Sequence, residues 1–282
     1  EFRRVLFRSP AGSISFRNIR IDRPVADQYD PDKNGYLNSR LELITIADSH
    51  RKVIHEAQGR FEAPNFMPDG KNLLINRDGS LYTVPVAGGT PEKFNTGSAN
   101  HNNNDHVISF DGKWLGISSH REGLPGYGST VYVLPITGGE PRMVTPETPS
   151  YLHGWSADNK SVVYVAQRNG SNKFHIYRKG IDGGPETQLT FHTKGHVDGP
   201  EYSPDGKYIY YNGSQTGTMQ LWRMAPDGTG NEQLTFDERN NWFPHLSPDG
   251  KWIAYLSFPP TIHPDDHPAY KRVTLNLMPV NG

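Results

Sequence analysis

The chain contains no cysteine. That excludes disulfide bonds and thiolate chemistry and leaves the redox compartment undecided. It has no surplus of either charge: 29 Lys and Arg stand against 30 Asp and Glu, a formal net charge of −1 over 282 residues. No basic face is implied, so nucleic acid is not an expected partner. No apolar run approaches the length of a membrane-crossing helix, and no membrane span is expected. Also lacking are a Gly-x-Ser-x-Gly elbow, a glycine-rich phosphate loop before a helix, and any helix-length periodicity of apolar residues. A serine hydrolase reading is thereby set aside.

Turn formers and aromatics are abundant, with 29 Gly, 23 Pro, 14 Tyr, 12 Phe and 5 Trp. Glu201–Asn212 (EYSPDGKYIYYN) shows how they are used. Pro204 presets φ for a tight turn, Asp205 can bond its own backbone, and Gly206 tolerates positive φ, so the stretch spells a β-hairpin. The same phrase recurs at Met67–Gly70, Ser109–Gly112, Ser156–Asn159 and Ser247–Gly250. Its aspartates (Asp69, Asp111, Asp158, Asp205, Asp249) lie 42, 47, 47 and 44 residues apart.

Each turn is followed by a short apolar strand: 72–75, 114–117, 161–166, 208–211 and 252–256. A second strand follows at 80–86, 130–135, 174–179, 219–224 and 272–278. Glycine turns end most of these, and outer strands are expected at 92–94, 142–144, 187–189 and 232–234. Four short strands per ~40–45 residues is the period of a β-propeller blade, a unit that cannot bury both its faces alone. Trp114, Trp155, Trp222 and Trp252 sit at strand positions and read as inter-blade core.

The phrases YSPDGKYIYYN, LWRMAPDGTGNEQLTFD and PHLSPDGKWIAYLS resemble the WD-repeat-like blades of the TolB family of bacterial propellers. The resemblance runs from about Arg40 to Gly282. It implies an all-β, six-bladed β-propeller of one domain, with a periplasmic or extracellular location. The same blade also serves peptidase propeller domains and propeller lyases, so it speaks to fold more than to function.

The two ends read differently. Glu1–Ser9 (EFRRVLFRS) is similar to a translated cloning adaptor and is set apart from the fold. Residues 10–38 read as the remnant of an upstream β domain and a linker. Within them Ala11–Arg23 alternates Ile14, Phe16, Ile19 and Ile21 with polar residues. It fits either the closing strand of a sandwich or a lone edge strand at the propeller's rim. Residues 40–46 and 51–55 then read as the third and fourth strands of a blade whose inner hairpin is absent. The expectation is five full four-stranded blades plus an incomplete closing blade over 39–282, truncated at the C-terminus.

The first strand of each blade should begin nearest the central channel, where propellers place ligands. Glu62, Asp105, His106, Tyr151, His153, His196, Asp198, Glu201, Trp242 and His245 lie just before or within those strands. They are the candidate ligand-binding residues of a channel mouth. His106 and His153 stand five residues before their turn aspartates, whereas Glu201 and His245 stand four before theirs. Strand periodicity then turns the two sets toward opposite faces. His106, His153 and His245, with Glu201 or Asp198 nearby, are candidate ligands for Mn, Fe, Ni or Zn. A ligand-lined mouth without metal and a purely structural role for each residue are the other readings. The polar run Asn100–His106 (NHNNNDH) and the insertion Thr261–Tyr270 (TIHPDDHPAY) read as loops.

The expected function is a monomeric binding or scaffold module whose partner, a protein or a saccharide, sits at the channel mouth. The alternative is a metal-dependent polysaccharide lyase or hydrolase. Oligogalacturonate-cleaving propellers resemble this chain in fold and use a histidine-rich metal site, but their ligand pattern is not matched here residue by residue. A third reading is a structural spacer between neighbouring elements.

Overall fold

A computed structural model describes residues 38–268 and 271–281, together with Ile19, Arg20, Lys33 and Gly35. The adaptor-like segment Glu1–Ser9, and most of 10–38, lie outside the described residues.

Two residues, β1 (Ile19–Arg20), come first, then β2 (Asn38–Ile44) and β3 (Arg51–Gln58). Blade 1 comprises β4 (Glu62–Phe66), β5 (Asn72–Arg77), β6 (Ser80–Pro85) and β7 (Glu92–Lys93). Blade 2 comprises β8 (Asn102–Ile108), β9 (Trp114–Ser119), β10 (Thr130–Pro135) and β11 (Arg142–Met143). Blade 3 holds β12 (Ser150–Trp155), β13 (Ser161–Ala166), β14 (His175–Gly180) and β15 (Thr187–Gln188). Blade 4 holds β16 (Val197–Tyr202), β17 (Ile209–Gly213), β18 (Gln220–Met224) and β19 (Glu232–Gln233). Blade 5 is β20 (Asn240–Leu246), β21 (Trp252–Phe258) and β22 (Thr274–Pro279), completed by β1 pairing antiparallel with β22 through Ile19–Leu275 and Arg20–Thr274. Blades 1 to 4 are antiparallel meanders in chain order, whereas blade 5 takes its outer strand from the start of the chain.

The propeller is therefore five-bladed, not six-bladed. The segment expected to be the rim of a sixth blade is a separate two-stranded sheet, β2–β3, and among the described residues no inner strands lie beside it. The hairpin still has work in the core. Leu41 and Ile54 join the cluster of Phe61, Leu73, Ile75 and Val84 in blade 1, while Ile44 packs against that of Trp242, Leu256 and Leu275 in blade 5.

The turns form as their chemistry dictates. Ser203 Oγ donates to Asp205 Oδ1 at 2.7 Å, the Lys207 amide donates to the same oxygen, and the Tyr208 amide donates to Ser203 Oγ. Hydrogen bonding from Ser203 and the Lys207 amide holds the Asp205 carboxyl down at about 2. Gly206 takes φ +72°. In blade 3 Asn159 replaces the glycine and takes φ 60°, as asparagine tolerates.

Alternation along the middle strands puts the core between blades. Val162, Tyr164 and Ala166 of β13 face the blade 2 side with Val131 and Val133, whereas Val163 and Val165 face Val197 and Ile209 of blade 4. Trp155 is fully buried at the first of these seams, where Trp114 packs partly buried, and Trp222 does so at the second. Trp252 is half-buried and belongs to neither.

One buried ion pair pins blade 3 to its outer strand. Arg168 Nε and Nη2 donate to Glu186 Oε1 and Oε2 at 2.7 and 2.8 Å, Arg168 Nη1 donates to the Pro149 carbonyl, and Tyr164 OH donates to Glu186. Removing Glu186 leaves the buried Arg168 with only the exposed Glu147, 3.6 Å away, at a cost of up to about 3–5 kcal/mol. Glu186→Ala should therefore lower the urea midpoint by a loss of about that size. Arg168→Met combined with Glu186→Leu should recover much of it, and a single variant as stable as the wild type would show the pair to be energetically idle.

Candidate functional site at the channel mouth

The inner strands lie side by side, β4 beside β8, then β12, β16 and β20. In an antiparallel meander the Asp-Gly turns share one end. The loops entering the inner strands share the other end with the connections between second and third strands. The mouth is therefore built from inner-strand starts, incoming loops and connections such as β21–β22.

A local irregularity recurs there. Each inner strand slips register, between Glu62 and Asn65, Asn102 and His106, Leu152 and Gly154, Asp198 and Glu201, and Trp242 and His245. A bulge re-aims the side chains that precede it. In three blades the residue six before the turn aspartate is left-handed: Ala63 at φ 55°, Gly199 at 58° and Phe243 at 56°. A Cβ on Gly199 would lie 2.8 Å from Asn212 Oδ1 and 3.1 Å from the Phe243 ring, so glycine is needed beneath that ring. The Phe243 amide donates to Asn212 Oδ1 at 3.0 Å, which holds the unfavourable φ in place.

His153 Nε2 lies 2.7 Å from Asp198 Oδ1, the oxygen that also accepts from the Gly199 amide at 2.8 Å. Burial works to raise the Asp198 carboxyl, but His153, His267 and the Gly199 amide outweigh it, and it sits below its ordinary value. The His153 ring stacks on Phe243 at 6.4 Å. Phe243 leans on Trp242 at 5.4 Å, and His267 packs 4.5 Å from Trp242 and 5.4 Å from Phe243. Tyr151 stands edge-on to Phe174, its hydroxyl pushed up to about 12 by burial and by Asp105 and Asp198. The mouth thus holds one His–Asp pair packed against Phe243, with Trp242 and Phe243 almost fully buried.

The other candidates fall elsewhere. Glu201 Oε2 lies 2.7 Å from His245 Nδ1, and Glu201 Oε1 accepts from the Leu246 amide. His106 is fully buried, with Nε2 3.4 Å from the Leu74 carbonyl. Glu62 pairs with Arg60 at 2.7 Å, Asp105 accepts from Asn103, and His196 Nε2 lies 3.8 Å from Asp265. His106, His153 and His245 thus each take a different neighbour. Among the described residues no group of three or more His, Asp or Glu side chains is arranged to hold a metal ion. The bulge explains the pairing of His153 with Asp198. A regular strand would keep their offsets, five and seven before the turn, in step with those of other blades.

Several contributors were not legible in the repeat. Thr261–Tyr270, expected to be an ordinary loop, brings His267 onto the aromatic wall and Asp265 to His196 and Ser214. Its signal was length, since β21–β22 is the longest such connection in the five blades. Asn102–Ile108 is strand β8, not a loop. Its asparagines line a cleft of about 980 Å³ with Arg60, Glu62, Asn76 and Arg77.

Five meandering blades with a polar and aromatic mouth define a β-propeller that presents a side-chain surface at one end of its channel. The chain belongs to the TolB beta propeller domain family, whose profile matches residues 35–198. An uncharacterized protein of Agrobacterium fabrum is 44% identical over 250 residues, covering 88% of this chain and 82% of that protein. The structure of a candidate TolB from Agrobacterium tumefaciens is 44% identical and superposes with a TM-score of 0.80, over 88% of this chain and 86% of that one. An oligogalacturonate lyase in complex with manganese shares the fold alone, at 14% identity and a TM-score of 0.55 over 78% of this chain and 68% of that one. Among the described residues, no helix is long and apolar enough to cross a membrane.

A histidine cluster flanks the mouth. His175 and His192 lie 4.4 Å apart, and burial, then His175, Lys173 and His196, push His192 down to about 4. An unfolded histidine takes its proton near about 6.5. Between those values the unfolded chain binds more protons, so stability falls as pH falls through the window. The melting temperature should drop less steeply between pH 6.5 and about 4 in His192→Gln than in the wild type. Parallel curves would remove His192 from the account.

Proposed function

We propose that this chain is a binding module that takes a protein or saccharide ligand at the channel mouth, over His153, Asp198, Trp242, Phe243 and His267. One observation carries the reading. His153 and Asp198, from inner strands of neighbouring blades, meet at 2.7 Å at the inner-strand starts, where the channel opens. A fixed carboxylate–imidazole pair at a channel opening is the kind of convergent polar group that orients a ligand. The strained Phe243 supports it, because backbone strain concentrates where a surface is preorganised. Aromatic faces beside a fixed His–Asp pair suit a partner with both apolar and hydrogen-bonding parts. Likeness to TolB proteins supports a periplasmic location for this activity.

The test is site-specific photocrosslinking in cells. A benzophenone side chain at position 151 should yield a peptide or glycan adduct, and one at Tyr208, beside an Asp-Gly turn at the opposite end, should not. His153→Ala should cut the adduct at 151 by about tenfold, the worth of one charged hydrogen bond. Equal labelling at 151 and 208, or none at 151, would remove the mouth from consideration.

A further inference from the structure

Trp242 is 2% exposed and Phe243 7%, although both lie early in inner strand β20, at the mouth. The residues seven before the turn aspartate in blades 2, 3 and 4 are Asn104, Tyr151 and Asp198, and each is only half-buried. Trp242 holds that position in blade 5, so its deeper burial has a cause particular to this blade. The cause is the long β21–β22 connection. His267 of that connection lies 4.5 Å from the Trp242 ring and 5.4 Å from that of Phe243, and Ile262 packs against the same cluster.

Residues 259–268 are a covering layer and not part of the core. They contain no strand, and each of them is half-buried or exposed. Two turns set their shape: the Ile262 amide donates to the Pro259 carbonyl at 3.1 Å, and the Asp266 amide to the His263 carbonyl at 2.9 Å. Pro259, Pro260, Pro264 and Pro268 supply no amide donor and fix φ, which keeps the segment out of strand pairing and stiffens it. Polar ties hold it to the body. Ser214 Oγ donates to Asp265 Oδ1, His196 Nε2 lies 3.8 Å from Asp265 Oδ2, and Asn240 Nδ2 donates to the Ile262 carbonyl at 2.9 Å. A half-exposed, strandless segment over a buried strand has the marks of a unit that opens well below the cost of global unfolding.

A ligand cannot touch rings that are covered. We propose that residues 259–268 are a strap over the channel mouth: Asp265 lets go of Ser214 and His196, the strap lifts, and the ligand enters between His267 and the Trp242 and Phe243 rings. The proposal rests on the binding reading above and concerns access to that site.

Oxidation of tryptophan by substoichiometric N-bromosuccinimide, with each site read by peptide mass spectrometry, tests it on the full chain with no ligand present. Trp242 should react through strap opening. Trp155, 1% exposed in the seam between blades 2 and 3, should react only through unfolding. Low urea should therefore speed oxidation of Trp155 and leave that of Trp242 unchanged, because lifting a strap exposes little new surface. Asp265→Ala should speed oxidation of Trp242 about tenfold, the worth of one hydrogen bond to a charged group, with Trp155 unchanged. A variant that speeds both sites has lost fold stability, and the urea dependence of the wild type then decides. Trp242 and Trp155 rising together with urea, or a Trp242 rate unmoved by Asp265→Ala, would overturn the strap. Failed crosslinking at position 151 beside normal strap opening would count against the binding reading alone.

Discussion

Val162 and Val163 of β13 face opposite neighbours, and neither neighbour can be removed without exposing a face of the strand. This two-sided demand on the middle strands is the constraint from which the architecture follows. A sheet apolar on both faces cannot stand alone, and a two-layer stack would cover only one of them. Successive blades, each covering the last, satisfy every face but those of the first and final sheets. Blades 1 and 5 meet the remaining demand through the β2–β3 hairpin, with Leu41 and Ile54 on one side and Ile44 on the other. The fifth blade gains its outer strand from Ile19 and Arg20, far from it in sequence.

Once the blades are packed, their inner strands are forced together at the axis, and the recurring bulge decides what they show there. Regular pleating would give every blade the same alternation. A register slip in each inner strand breaks that alternation near the mouth, and the left-handed residues Ala63, Gly199 and Phe243 turn the chain where it occurs. The same device yields different chemistry from blade to blade: asparagines at blades 1 and 2, a His–Asp pair at blades 3 and 4, an aromatic wall at blade 5. A repeat fold can carry a one-off site because each slip is filled by different side chains.

The blade repeat was readable because its causes are local. Ser203, Asp205 and Gly206 need only their own neighbours to form a turn, and β10 lies at 130–135 as its alternation implies. The channel mouth was readable as a region, since inner strands must start somewhere and their polar residues are few. Which of those residues meet was not. His153 and Asp198 stand 45 positions apart at unmatched offsets, and a bulge, not a period, brings them to 2.7 Å. His267 lies in an insertion whose residues carry no strand pattern, so nothing in their order points to Trp242. The blade count escaped for a similar reason: β2–β3 has the strand pattern of a blade rim, but pattern does not say what pairs with it.

Sequence alone settled the all-β class, the turns and the strands, because φ preferences and side-chain alternation act within a few residues. Tertiary structure decided the number of blades and the partner of each histidine. Those depend on contacts between distant segments, where a slip of one residue reverses which face a side chain occupies.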